Sequence, residues 1–377
     1  MDFALNEAQQ AVRDLATTLC QDLATHEAMR ELELSGDPLG PFQANLWTEL
    51  ANAGLLGLEV AEADGGAGLD LTATVEVLRQ VGATAAYVPY LEQTQLAIFP
   101  LLTFGTADQR AAYLPRLCDG SLLGTAALAE VNGGRVDLGG TAPRVTASPT
   151  ATGYTLTGAK ARVGGGLRAG LFLVPASTPD GAVVLLVEAG TPGMTVTRQE
   201  GTYQPEALVT FEDVEVRASA VLGGTGADGA AQIAAMVDRA TLATCAIEAG
   251  ATAAAIKLAA AYTTTREQFG KAIATFQAVG QRVADAYVDA EAISLTTTQA
   301  AWRLAAGLDA EKELAAAKWW ATEGADRVVH ACVHVHGGVG VDRDYPLHRY
   351  FMLTRQLLTA LGGPTDQLRR LGAALAR

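Results

Sequence analysis

Cysteine is scarce in this 377-residue chain: Cys20, Cys118, Cys245 and Cys332 are the only four. They lie far apart with no paired spacing. That excludes a disulfide scaffold and leaves reduced thiols. Positive charge is in deficit as well. Twenty-seven Lys and Arg stand against 41 Asp and Glu, a net charge of −14. Such a balance argues against non-specific nucleic-acid binding and against adhesion to an anionic membrane. It leaves room for a local Arg cluster that holds a phosphate group. The first ten residues, MDFALNEAQQ, have neither the basic region nor the apolar core of a secretory signal. No uncharged apolar run reaches the roughly 20 residues that a bilayer span needs. The richest stretch, 242–262, carries Glu248 and Lys257. The expectation is a cytoplasmic protein with no nucleic acid and no membrane among its partners.

What is present has three textures. Hydrophobic residues make up 49% of the chain and charged residues 18%, a soluble globular balance. Residues 1–120 read as helical: Val12, Leu15, Leu19 and Leu23 recur at helical spacing, and Leu46, Leu50 and Leu55 continue it. Residues 121–227 hold short β-rich runs divided by Gly, Pro and Asp, such as GYTLTGAKARV, GAVVLLVEAG and ALVTFEDVEV. They predict an antiparallel sheet or small barrel. Residues 228–377 are helical again, in the Ala/Leu-rich segments 229–264, 274–306, 309–335, 347–361 and 365–376, which fit a bundle. The fold class is α+β: an N-terminal helical domain, a middle β-barrel domain and a C-terminal domain like a four-helix bundle.

One interruption stands out. In TALGGPTDQL, residues 359–368, a helical run stops at Gly362-Gly363-Pro364 and restarts at Thr365-Asp366. Glycines free the backbone to turn and proline presets a helix start.

Five phrases occur in order along this layout: GLLGLEVAEADGGAGLD, FGTADQRAAYLPRLCDGSLLGTAALAE, VTFEDVEVRASAVLG, REQFGKAIATFQAV and HVHGGVGVDRDYPLHRY. Together they resemble the acyl-CoA dehydrogenase family over essentially the whole chain. The resemblance implies a flavoprotein in which FAD removes hydrogens from the α and β carbons of an acyl-CoA thioester. A carboxylate takes the α proton. Electrons usually pass on to an electron-transfer flavoprotein. It also implies a tetramer in which the flavin ring sits on one subunit's β domain. The pyrophosphate and adenosine lie against the C-terminal helices of its neighbour.

A pyrophosphate needs a fixed cation and close backbone donors. By resemblance Arg266 is that cation, and Gln268, Phe269 and Gln277 line the same cofactor. Gly337 and Gly338 form the turn where the backbone approaches it. His334 stands where the family often has glutamine. The rival reading of Arg266 is a surface salt bridge. The flavin-ring half departs from the family. Ala129 replaces a Thr or Ser, Arg162 replaces a stacking Trp, and Gly164 replaces another hydroxyl. Each hydrogen bond lost is worth on the order of 1 kcal/mol.

The catalytic base departs too. Gly362 occupies the position where many family members keep Glu. Asp366 is four positions on, where a helix-start role suits it. Other members carry the base near Ala240. Asp238, two positions earlier, points about 200° away around a helix. Glu248 resembles a Glu of bacterial relatives and reads as a buried residue satisfied by Arg or Lys. The weak candidates are therefore Glu248 and Asp366, and no catalytic residue is assigned. His330 and His334 are four apart, at metal-ligand spacing, yet no HExxH phrase or cysteine pair supports zinc, and no metal is expected.

These features resemble the non-catalytic subunit of actinobacterial α2β2 acyl-CoA dehydrogenases, several of which act on CoA thioesters of steroid side chains. The expected partners are a homologous catalytic subunit, an acyl-CoA substrate and an electron-transfer flavoprotein. Two other readings stay open: a self-sufficient homomer with a relocated base, and a flavin-free structural or CoA-ester-binding protein.

Overall fold

The structure, a computed structural model, describes residues 3–131 and 142–377. Its first helices start where capping side chains allow. Helix α1 (Glu7–Leu23) opens on Asn6, which accepts from the Gln9 amide while the Gln9 side chain returns to the Asn6 amide. Helices α2 (His26–Leu34) and α3 (Ala44–Asn52) follow, and α4 (Leu71–Thr84) opens on the Asp70 carboxylate. A wide π-helical segment, Glu92–Ile98, runs into α5 (Phe99–Phe104), and α6 (Ala107–Cys118) closes the first helical group.

Strands β1 (Gly124–Ala126), β2 (Thr146–Pro149), β3 (Gly153–Val163), β4 (Leu171–Thr178), β5 (Gly181–Glu188), β6 (Met194–Gln199) and β7 (Glu206–Arg217) form one curled sheet. The order is β1-β4-β2-β3-β7-β6, with β5 also on β4. Most pairings are antiparallel, as the alternating runs predict. The exceptions are β1 and β2, which both pair with β4 in parallel. Each is separated from β4 by intervening chain, and parallel pairs cannot be closed by tight hairpins. The sheet wraps its own core, with Phe172, Val174, Val209 and Phe211 buried inside.

The C-terminal helices are α7 (Gly229–Thr265), α8 (Gln277–Ala305), α9 (Glu311–Trp319), α10 (Ala325–His336), α11 (Leu347–Leu357) and α12 (Pro364–Leu375). A small hairpin, β8 (Glu267–Gln268) and β9 (Lys271–Ala272), links α7 to α8. Helix α7 is long and apolar enough to cross a membrane by length and composition alone, but 72% of its most apolar window is buried within the molecule. It is the core helix. It shares one hydrophobic cluster with both helical groups, from Cys20 and Leu78 to Ile293 and Val328. Where α4 crosses α7, a Cβ on Gly82 would lie 2.0 Å from the Ile247 carbonyl oxygen, and one on Gly250 1.9 Å from that of Arg79. Only glycine permits so close a crossing. The sheet packs beside this joint helical body, and the seam between them holds the cleft described next.

Candidate functional site

A cleft of about 140 Å³ opens between β3, the Glu92–Ile98 segment, α7 and the end of α11. Small-molecule sites usually measure roughly 300–1,000 Å³. Ala129, Arg162, Gly164, Ala240 and Leu361 all line it. The structure therefore gathers into one place Ala129, Arg162, Gly164 and Ala240, four of the positions singled out in the sequence, while Gly362 falls just outside the lining. Ala129 brings no hydroxyl. Gly164 has no side chain, and the Glu92 carboxyl takes its place: a Cβ on Gly164 would meet Glu92 Oε1 at 2.3 Å.

Glu92 is the site residue that sequence reasoning missed. It sits in a helix before the β zone, with no motif around it. In the fold it lines the cleft together with Leu91, Leu96 and Leu128, its carboxyl set against Gly164. Burial, with the nearby Glu206 adding repulsion, pushes its pKa up to about 7.

Arg162 is held from several sides. Lys160, fully buried, pairs with Glu130 and fixes the strand just before it. The β3–β7 register then slips between Lys160 and Val163, and Arg162 adopts a left-handed backbone, φ +52°. Its amide donates to Gln199 Oε1 at 2.8 Å. Its guanidinium reaches across the cleft mouth: Nε to Glu206 Oε2 at 3.2 Å and Nη1 to Thr359 Oγ1 at 3.1 Å, with Nη2 near the Gln356 carbonyl at 3.5 Å.

The expected base positions carry no acid in this cleft. At the α11–α12 break, Ala360 and Leu361 line it. Leu361 (φ +58°) and Gly362 (φ +90°) turn the chain, and Pro364 opens α12. Asp366 Oδ2 accepts from the Gly363 amide at 3.2 Å, a helix-start contact. Ala240 lines the cleft, while Asp238 is drawn off to Arg370 at 2.6 Å. Glu248 is fully buried and outside the lining. It accepts from Thr354 Oγ1 at 2.9 Å. Burial pushes its pKa to about 7, against the pull of Thr354 and the nearby Lys318 charge. Lys318 is also fully buried, donates to the Leu357 carbonyl at 2.9 Å, and has its pKa lowered by desolvation.

The other sequence candidates lie on a separate surface. None of Arg266, Gln268, Phe269, Gln277, His334, Gly337 and Gly338 lines the cleft, and all seven are exposed. Arg266 caps α7, and its guanidinium has no ion-pair partner among the described residues, so the salt-bridge reading finds no partner. Phe269 (φ +54°) and Gly270 (φ +76°) form the two-residue turn of the β8–β9 hairpin. Phe269 is 92% exposed. Its ring lies 6.1 Å from that of Phe276, next to Gln277. One turn before Arg266, Tyr262 stacks on His336 at 4.4 Å, which brings the end of α7 beside the Gly337-Gly338 turn. A Cβ on either glycine would meet nothing within 4 Å, so the backbone there is open to a ligand. This surface fits the phosphate and adenosine end of a dinucleotide. The cleft does not fit its ring as it stands. No group of three metal-ligating side chains occurs among the described residues. The His330 ring bonds the Asp326 carbonyl.

Comparison with known proteins identifies the family. Residues 6–121 match the family model "Acyl-CoA dehydrogenase, N-terminal domain", and residues 227–376 match its C-terminal domain. The chain belongs to the acyl-CoA dehydrogenase family, whose cofactor is FAD. It is 40% identical to acyl-CoA dehydrogenase FadE27 of Mycobacterium tuberculosis, over all of this chain and 99% of that one. Among solved structures it resembles a chain of the ChsE4-ChsE5 complex from the same organism. There the TM-score is 0.91 and the identity 39%, covering 100% and 99% of the two chains. It also resembles a chain of the Tcur3481-Tcur3483 steroid ACAD, with TM-score 0.89, 38% identity and 98% of both chains covered.

Proposed function

We propose that this chain is the non-catalytic subunit of a heteromeric, FAD-dependent acyl-CoA dehydrogenase. Arg266 holds the pyrophosphate, and the Gly337-Gly338 backbone, Gln268, Phe269, Gln277 and His334 line the adenosine side. A homologous partner chain supplies the ring pocket and the carboxylate base. The bound flavin supplies the hydride acceptor for α,β-dehydrogenation, and an electron-transfer flavoprotein takes the electrons. The observation that carries this reading is the separation of the two half-sites: the exposed half keeps its cofactor residues, while the cleft lacks an acid at both expected base positions. Likeness to the steroid ACAD supports a steroid side-chain CoA thioester as substrate. On this reading 1–120, 121–227 and 228–377 are the chain's domains, and it works in the cytoplasm.

A self-sufficient homomer gains little from the geometry. Glu248 is sealed in the core, and Asp366 is engaged at the start of α12. The test is to purify the chain alone and co-expressed with a homologous acyl-CoA dehydrogenase chain that has the carboxylate base, then record visible spectra, native mass and turnover. The expected result is a colourless, inactive chain alone and a yellow, active complex together. A yellow, active homomer would overturn the reading.

A further inference from the structure

Three features of the cleft point one way. First, Arg162 sits at a strand bulge in a left-handed conformation that residues with a side chain rarely adopt. Strain of this kind persists where surroundings over-determine it. Here the surroundings are a fixed Lys160 before it and three acceptors for its guanidinium, on Glu206 and Gln356 of the cleft lining and on Thr359. Second, the tie is doubled. Gln356 Oε1 accepts from the Tyr203 amide at 2.7 Å and from the Gln204 amide at 2.8 Å. The sheet is thus bonded to the end of α11 both by Arg162 and by the strand-connecting loop. Third, Glu92 occupies the space beside Gly164, so the loss of a side chain there creates no room.

We propose that Arg162 is a latch that shuts this chain's own ring cleft and excludes a flavin ring from it. The excluded species is a planar, tricyclic, largely apolar heterocycle. A cation tied to Glu206 and Thr359 crosses the mouth such a ring must enter. In the family the same position carries a ring that stacks on it. The inference deepens the subunit reading: a chain that cannot house the ring itself contributes its exposed Arg266 surface only to a cofactor seated elsewhere.

The test uses riboflavin, which has the ring and lacks the pyrophosphate and adenosine, so the Arg266 surface cannot assist. The full chain, without partner, is titrated by fluorescence quenching as wild type and as Arg162→Ala. Amide hydrogen exchange is followed at 203–204 and 356–362. The expected result is no measurable binding by wild type. The variant should bind at least tenfold more tightly, with exchange at Tyr203 and Gln204 accelerated about tenfold. Arg162→Met, which keeps the length and removes the tie, gives the same readouts if the alanine variant does not fold. Wild-type binding equal to the variant's overturns the latch. So does a folded variant with unchanged exchange, or one with faster exchange and no riboflavin binding. Riboflavin binding by wild type, with FAD still acquired only beside a partner, sinks the latch and leaves the subunit reading standing. A chain without partner that binds FAD and not riboflavin does the reverse.

Discussion

A carboxyl facing Leu side chains, with another acid nearby, holds its proton to higher pH than one in water. Glu92 is such a group, with its pKa pushed from 4.5 to about 7 by burial first and by Glu206 second. The folded chain therefore binds this proton more tightly than the unfolded chain. Its contribution is full below pH 4.5 and is lost as pH rises toward 7. Glu92→Gln keeps the shape and removes the charge. The variant should match wild type in Tm near pH 4.5 and exceed it by about 2–4 °C at pH 8. Glu248 titrates in the same window but is common to both proteins, so the difference isolates Glu92. A variant less stable than wild type at pH 8 would refute the assignment. Gly362 carries a second prediction at this scale. At φ +90° any Cβ is strained, so Gly362→Ala should lose about 1–2 kcal/mol in urea unfolding. Gly362→Glu should lose at least as much, so restoring the family's acid there is no simple repair. Both residues show where reading the sequence stops. Gly362 was legible as a turn. Glu92 was not, because only the folding of the Glu92–Ile98 segment against Gly164 gives it a role.

Among the elements, the helices were the most legible, since apolar spacing such as that of Val12, Leu19 and Leu23 is written locally, whereas the caps Asn6 and Asp70 emerged only in the structure. The parallel pairing of β1 and β2 with β4 was not. Register between strands distant in sequence depends on packing, and short apolar runs do not encode it. Helix α7 was legible as a helix but not as the shared core of both helical groups, because its residues are apolar on nearly every side. The crossing of α4 and α7 rests on two small residues facing carbonyls, and it yields a direct test. Gly250→Ala places a methyl 1.9 Å from the Arg79 carbonyl oxygen, so the helices must separate. The expected cost is about 1–3 kcal/mol in urea unfolding with little change in m. Gly280→Ala on α8, where a Cβ meets only the Ala274 carbonyl at 3.7 Å, should cost nothing and serves as the control. Equal stability of the two variants would show that the crossing tolerates a methyl.

For the whole molecule, the decisive arrangement is that the cleft and the Arg266 surface, the two halves of a cofactor site on the proposed reading, lie apart on one chain. The cleft is bounded by tied side chains. The other surface is an open turn beside an exposed Arg266 and a projecting Phe269. Exposed residues away from packing contribute little to stability, usually within about 0.5 kcal/mol. Arg266→Ala and Phe269→Ala should therefore unfold with the wild-type Tm. Their effect belongs to the assembly. Losing a charge-assisted contact to a phosphate costs on the order of 1.5–3 kcal/mol, roughly ten- to a hundredfold in affinity. A complex carrying Arg266→Ala should retain its native mass at high protein concentration yet lose most of its flavin absorbance on dialysis. Thr359→Ala, a change at the cleft, should leave the flavin content of the complex unchanged. If Thr359→Ala strips the flavin and Arg266→Ala does not, then the ring rests in this chain's cleft after all, and the division of labour between the two surfaces runs the other way.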